Sequence, residues 1–162
     1  MDINEVSLRH LANRPRTKKE IKDHLIKKGF EPIEIKEEID YLLEHKYIDD
    51  SSYTEEYIRY GFSKNKGIGR IEMELYQKGV SKEDFSKGYY AYEDEYQIDI
   101  KEIERENCYN EADKIMSRAI SIDQKTIAKL GRRLSSLGYQ SGLVYEIIGK
   151  YMKEKNNDGS FE

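Results

Sequence analysis

Residues 20–30 read EIKDHLIKKGF, and this stretch decides the fold. Ile21 and Leu25 stand four apart, on one face of a helix, and Gly29 follows four residues later. Glycine readily takes the left-handed backbone that closes a helix, and the apolar residue behind it can fold back on the last turn. The frame recurs twice. IEMELYQKGV at 71–80 places Ile71, Leu75, Gly79 and Val80 in the same register, and LGRRLSSLGY at 130–139 places Leu130, Leu134, Gly138 and Tyr139 there. Six residues past each glycine come Ile35, Phe85 and Val144, and ten past come Ile39, Tyr89 and Ile148. Those i and i+4 pairs mark a following helix.

Each recurrence is preceded by one more amphipathic stretch, over residues 4–13, 52–63 and 99–118. The three glycines stand 50 and 59 residues apart, and such recurrence of one frame is the signature of repeat architectures, the third unit having the longer first helix or linker. The expected fold is all-α: three tandem three-helix repeats over residues 1–50, 51–97 and 98–155, a polar disordered tail over 156–162, and an elongated, curved molecule. Thr17-x-x-Glu20, Ser52-x-x-Glu55 and Ser81-x-x-Asp84 supply capping signals, each a side-chain acceptor with a carboxylate three residues on. Pro15 and Pro32 sit just before helices, where a missing N–H does no harm.

Composition narrows the function classes. Of 162 residues, 37% are hydrophobic and 37% charged, Trp is absent, and there are 14 Tyr, which can bury a ring and leave the hydroxyl wet. The net charge of -4 gives no long-range pull toward nucleic acid, so any such contact must come from local clusters. Cys108 is the only cysteine, which excludes an internal disulfide. The start MDINEVSLRHL lacks a basic segment followed by an apolar run, and no apolar stretch approaches a membrane span, so a cytoplasmic protein without membrane contact is expected.

No catalytic set emerges, and the chain is expected not to be an enzyme and to need no cofactor or metal. His10, His24 and His45 lie in separate helical stretches without a nucleophile at motif spacing. Gly67-x-Gly69-Arg70 lacks the remaining residues of a phosphate loop. Asp49-Asp50 precedes a helix with no further ligand at metal spacing, so it is read as a cap or a structural junction between repeats. Basic clusters recur at equivalent places: Arg14, Arg16, Lys18, Lys19 and Lys22 at the start of the first middle helix, Lys64, Lys66 and Arg70 at the second, and Lys125, Lys129, Arg132 and Arg133 along the third. Such clusters suit phosphates or an acidic protein groove. Partner or nucleic-acid contacts are expected from Arg14, Arg16, Lys18, Lys22, Lys66, Arg70, Lys125, Lys129, Arg132 and Arg133.

Several of these residues form a familiar set. Arg14-Pro15-Arg16-Thr17, Glu20-Ile21-x3-Leu25-x2-Lys28-Gly29-Phe30, Tyr47-Ile48-Asp49-Asp50, and Lys66-Gly67-x-Gly69-Arg70-Ile71-x2-Glu74-Leu75-x2-Lys78-Gly79-Val80 follow one another across residues 14–80. In this the chain resembles the RecX family, bacterial regulators of the RecA recombinase. The resemblance implies three tandem three-helix repeats. It also implies binding to RecA along the groove of its filament on single-stranded DNA, damping ATP hydrolysis, strand exchange and coprotease action in DNA repair and the SOS response. Some relatives also touch DNA, so the resemblance brings in a weak DNA contact, and the chain is expected to act as a monomer. The alternatives are a direct DNA-binding protein and a helical-repeat scaffold for another protein.

Overall fold

The computed structural model describes residues 1–159. They form helices α1 (Ile3–Asn13), α2 (Lys18–Lys27), α3 (Pro32–Glu44), α4 (Asp50–Ser63), α5 (Ile68–Gln77), α6 (Lys82–Tyr96), α7 (Ile100–Ser117), α8 (Gln124–Ser136) and α9 (Ser141–Gly159), with no strand among the described residues. The fold is an all-α helical repeat. The tail expected over 156–162 overlaps the end of α9, and residues 160–162 lie outside the described residues.

The three glycine frames adopt one geometry. Ile21, Ile71 and Leu130 are fully buried, as are Leu25, Leu75 and Leu134. Gly29, Gly79 and Gly138 have φ of 88°, 92° and 92°. Behind each, the next residue donates its N–H to the carbonyl of the buried leucine: Phe30 to Leu25 at 3.2 Å, Val80 to Leu75 at 3.0 Å, and Tyr139 to Leu134 at 3.3 Å. The glycines themselves donate to Ile26, Tyr76 and Ser135, each at 3.0 Å. This pair of bonds satisfies carbonyls that a helix end otherwise leaves open.

The helices gather into two compact units, Met1–Tyr57 with Met73–Glu95, and Ile58–Glu72 with the chain from Tyr96 onward. In the first, α1, α2 and α3 close around Val6, Ile21, Leu25, Ile35, Ile39 and Leu42. In the second, α7, α8 and α9 close around Cys108, Ala112, Leu130, Leu134, Val144 and Ile147. Full burial of one such aliphatic side chain contributes about 1.5–3 kcal/mol, which is how a chain poor in apolar residues still sustains these cores.

Capping departs from expectation at one helix. Thr17 and Glu20 form the reciprocal box, and the Ser81 hydroxyl accepts from Asp84 N at 3.1 Å. Ser52, however, lies inside α4. The helix starts earlier because the Asp49 carboxylate accepts from Ser51 N at 3.0 Å and Ser52 N at 3.3 Å, so aspartate takes the capping place. Nor is every tyrosine hydroxyl wet. Tyr139 is 4% exposed and donates to the Asn65 carbonyl at 2.7 Å, and Tyr151 donates to Asp113.

Candidate interaction surface

The starts of α2 and α5 are built alike, each on the closed end of a later helix. In the first unit the Thr17 hydroxyl, which accepts from Glu20 N, donates to the Lys78 carbonyl at 2.6 Å, and Lys18 N donates to Asp50 Oδ1 at 2.9 Å. In the second unit Gly67 N donates to the Leu137 carbonyl at 2.6 Å, and Ile68 N donates to Glu104 Oε2 at 2.6 Å. Thr17 and Gly67 occupy the same register, as do Lys18 and Ile68. In both, the positive end of one helix dipole meets the negative end of another, and a carboxylate completes the start of the helix. Gly67 stands where a side chain has no room: a Cβ there would lie 2.4 Å from the Gly138 carbonyl carbon.

Asp50 and Glu104 are both buried, and burial raises both carboxyls above their ordinary values against the pull of the N–H each receives. Burial also works to raise Asp49, but the Ser51 and Ser52 donors outweigh it and hold that carboxyl below its ordinary value. Sequence reading missed Glu104. Its signal was there: Ile100, Glu104, Cys108, Ala112 and Met116 run at i, i+4 spacing, which sets a carboxylate on a buried stripe. A raised folded-state value means the folded chain keeps a proton that the unfolded chain has released. Glu104 therefore costs stability as pH rises above the ordinary carboxylate range. Glu104→Gln retains an oxygen acceptor for Ile68 N and carries no charge. Urea titrations of parent and variant at about pH 4 and about pH 7 are expected to show the variant gaining on the parent at the higher pH.

The ten basic residues picked out by sequence have unlike surroundings. Arg14 pairs with Glu20 at 2.9 Å and also reaches the Pro15 carbonyl, so it braces the α2 cap. Arg16 is half-buried, its Nε enclosed without a hydrogen-bond partner among the described residues. Lys18 and Lys22 are exposed and line a groove between α2 and α3. In the second unit Lys66 lies over the Tyr60 ring, 5.6 Å from its centre, and Arg70 Nη1 donates to the Ser136 carbonyl at 3.3 Å. Of these ten, the four on α8 form a continuous cationic face. Lys125, Lys129, Arg132 and Arg133 are all exposed, fall on one arc at 3.6 residues per turn, and lie opposite the buried Leu130 and Leu134. None of the four side chains is in an ion pair with another described residue.

Groups that could do chemistry are set against it. Cys108 is buried, and burial first, then Glu104 and Glu111, push its thiol up to about 12, far from a reactive thiolate. His10 and His24 stack face to face with ring centres 3.7 Å apart, and burial lowers both below the ordinary imidazole value.

Comparison with known proteins accounts for this architecture. Residues 5–42 match the family model for the first three-helix domain of RecX, and residues 49–87 match that for the second. The chain belongs to the RecX family. The first match takes in most of α1 through α3, and the second runs from Asp49 into α6, so both helix-closing glycines Gly29 and Gly79 lie inside RecX domains. A regulatory protein RecX of Clostridium botulinum (strain Alaska E43 / Type E3) is 29% identical over 153 residues, covering 94% of this chain and 68% of that protein. Another, from Oceanobacillus iheyensis, is 29% identical over 158 residues, covering 97% of this chain and 56% of its relative. The chain thus spans between about half and two thirds of the length of these relatives. The crystal structure of RecX from Lactobacillus salivarius superposes with a TM-score of 0.75 at 24% identity, over 95% of this chain and 94% of that one, and shares the fold. The RecX relatives are named as regulatory proteins, and the role of this chain is regulatory in that sense. No helix among the described residues is long and apolar enough to cross a membrane.

Proposed function

We propose that this chain binds the RecA recombinase, as its filament on single-stranded DNA, and lowers RecA's ATPase, strand-exchange and coprotease activities. Membership of the RecX family supports this proposal: the relatives are named as regulatory proteins, and RecA is the partner that the resemblance to RecX implies. The surroundings of the basic residues then rank the contact candidates. Arg14 and Arg70 are occupied by hydrogen bonds within their own units, whereas Lys125, Lys129, Arg132 and Arg133 on α8 are free to meet an acidic surface. One helix that carries several weak contacts gains affinity because the contacts act together. Titrating the purified protein into RecA on single-stranded DNA is expected to lower the DNA-dependent ATPase at substoichiometric to stoichiometric amounts. An unchanged ATPase, with no co-sedimentation on filaments, would retire the proposal.

A second reading, direct contact with DNA, is favoured by that same α8 face, since four exposed cations on one helix suit a phosphate backbone. Affinity for duplex DNA should then fall by about 0.9 log unit per log unit of salt for each phosphate contact. A flat salt dependence excludes it.

A further inference from the structure

The groove between α2 and α3 in the first unit has a volume of about 740 Å³. Its floor is apolar, formed by Ile26 and Phe30 with the edges of the buried Ile35 and Ile39 beneath them, and its rim carries Lys18, Lys22 and Lys36 against the single carboxylate of Asp40. None of the three ammonium groups is in an ion pair with another described residue. Ile26 is 55% exposed at the mouth of this groove.

The repeat register explains why the groove is open. Ile26, Ile35 and Ile39 correspond to Tyr76, Phe85 and Tyr89, fifty residues later. At that later crossing, between α5 and α6, the rings fill the space: Tyr76 meets Phe85 edge-on with centres 6.0 Å apart, and Phe85 meets Tyr89 at 6.0 Å. Of the three aliphatic side chains at these positions, Ile35 and Ile39 stay in the core and Ile26 is left open, so the α2–α3 crossing carries no ring over it. The rim differs too, because Lys22 and Lys36 correspond to Glu72 and Ser86. One helix crossing is therefore self-filled, and its counterpart combines an apolar trough with a net positive rim.

We propose that this groove docks an amphipathic helical segment of a partner protein, with apolar side chains at i, i+4 and i+7 seated between α2 and α3 and with acidic residues along its flanks. Charge complementarity selects the occupant. Acidic flanks meet Lys18, Lys22 and Lys36, basic flanks meet repulsion, and a nucleic-acid strand would leave the apolar floor uncovered. The inference rests on the chain working by docking a protein partner, but its test contains no recombinase, so the two can fail separately.

The test is fluorescence anisotropy of the full chain with labelled synthetic helices of about four turns, one carrying leucines on one face and glutamates on the other, a second with lysines for the glutamates, and a third with the leucines replaced by serine. The leucine–glutamate helix is expected to bind and the other two to bind at least tenfold more weakly. Lys22→Glu with Lys36→Glu should weaken it about tenfold, and Ile26→Asp, at an exposed position that leaves the core intact, by a similar factor. Equal binding of the glutamate and lysine helices, no binding of any helix, or indifference to both the Ile26 and the lysine variants would overturn the proposal. So would displacement of the bound helix by a single-stranded oligonucleotide but not by the unlabelled helix, which would assign the groove to nucleic acid.

Discussion

Gly138→Ala is expected to destabilise the protein by about 3 kcal/mol or more, whereas the formally identical Gly29→Ala costs about 1–2 kcal/mol. Both glycines close a middle helix with positive φ, 92° and 88°, so each substitution carries the same backbone penalty for placing a side chain in the left-handed region. What differs is the surroundings. A Cβ on Gly29 meets nothing within 4 Å. A Cβ on Gly138 would lie 2.3 Å from Arg70 Cβ, 2.5 Å from Arg70 N and 2.9 Å from Arg70 Cα, against the first turn of α5 and not against the flexible end of a side chain. Relief requires that turn to move, and moving it endangers the 2.6 Å bond from Gly67 N to Leu137 and the 2.6 Å bond from Ile68 N to Glu104. Urea unfolding followed by far-ultraviolet circular dichroism measures both variants. Equal losses at the two sites would mean that the seat of α5 on the end of α8 is soft and contributes little.

The contrast between those glycines also shows what one sequence discloses. The helix, its closing glycine and the returning apolar residue are local, so i, i+4 spacing exposes them and Gly29, Gly79 and Gly138 can be placed before any coordinates are known. The seating of one helix on the end of another joins residues about sixty apart, such as Thr17 with Lys78, and no periodicity reports it. Charge had the same weakness. Arg14 and Arg132 look alike in a cluster, yet one is held by Glu20 and the other has no ion-pair partner among the described residues. Glu104 was in principle legible as a carboxylate on a buried stripe. Its acceptor role was not, because the donor, Ile68 N, comes from a helix 36 residues earlier. Even the displaced cap follows this rule: Ser52 and Asp49 both carry acceptors, and the choice between them depends on where α4 begins.

Reversing Lys129 and Arg132 to glutamate is expected to weaken binding to RecA filaments about a hundredfold while leaving the helix content unchanged. Both side chains are exposed, on the side of α8 away from Leu130 and Leu134, so neither reversal disturbs the core. Both lie in the helix interior, clear of the Asp123 cap that receives Thr126 N at 2.8 Å. Two reversals turn four aligned positive charges into two of each sign, which removes attraction and adds repulsion toward an acidic surface. Arg14→Ala makes the matched control, because its guanidinium is committed to Glu20 and its removal should cost a little stability with less than a threefold change in affinity. Filament co-sedimentation at two salt concentrations reads out both variants. A Lys129→Glu, Arg132→Glu protein that binds as well as the parent would take α8 out of the interface. If Lys22→Glu with Lys36→Glu weakened binding in that same experiment, the contact would move to the α2–α3 groove. If neither pair mattered, the basic residues would be ordinary solvated charge, and recognition would have to rest on the apolar and aromatic side chains exposed elsewhere on the chain.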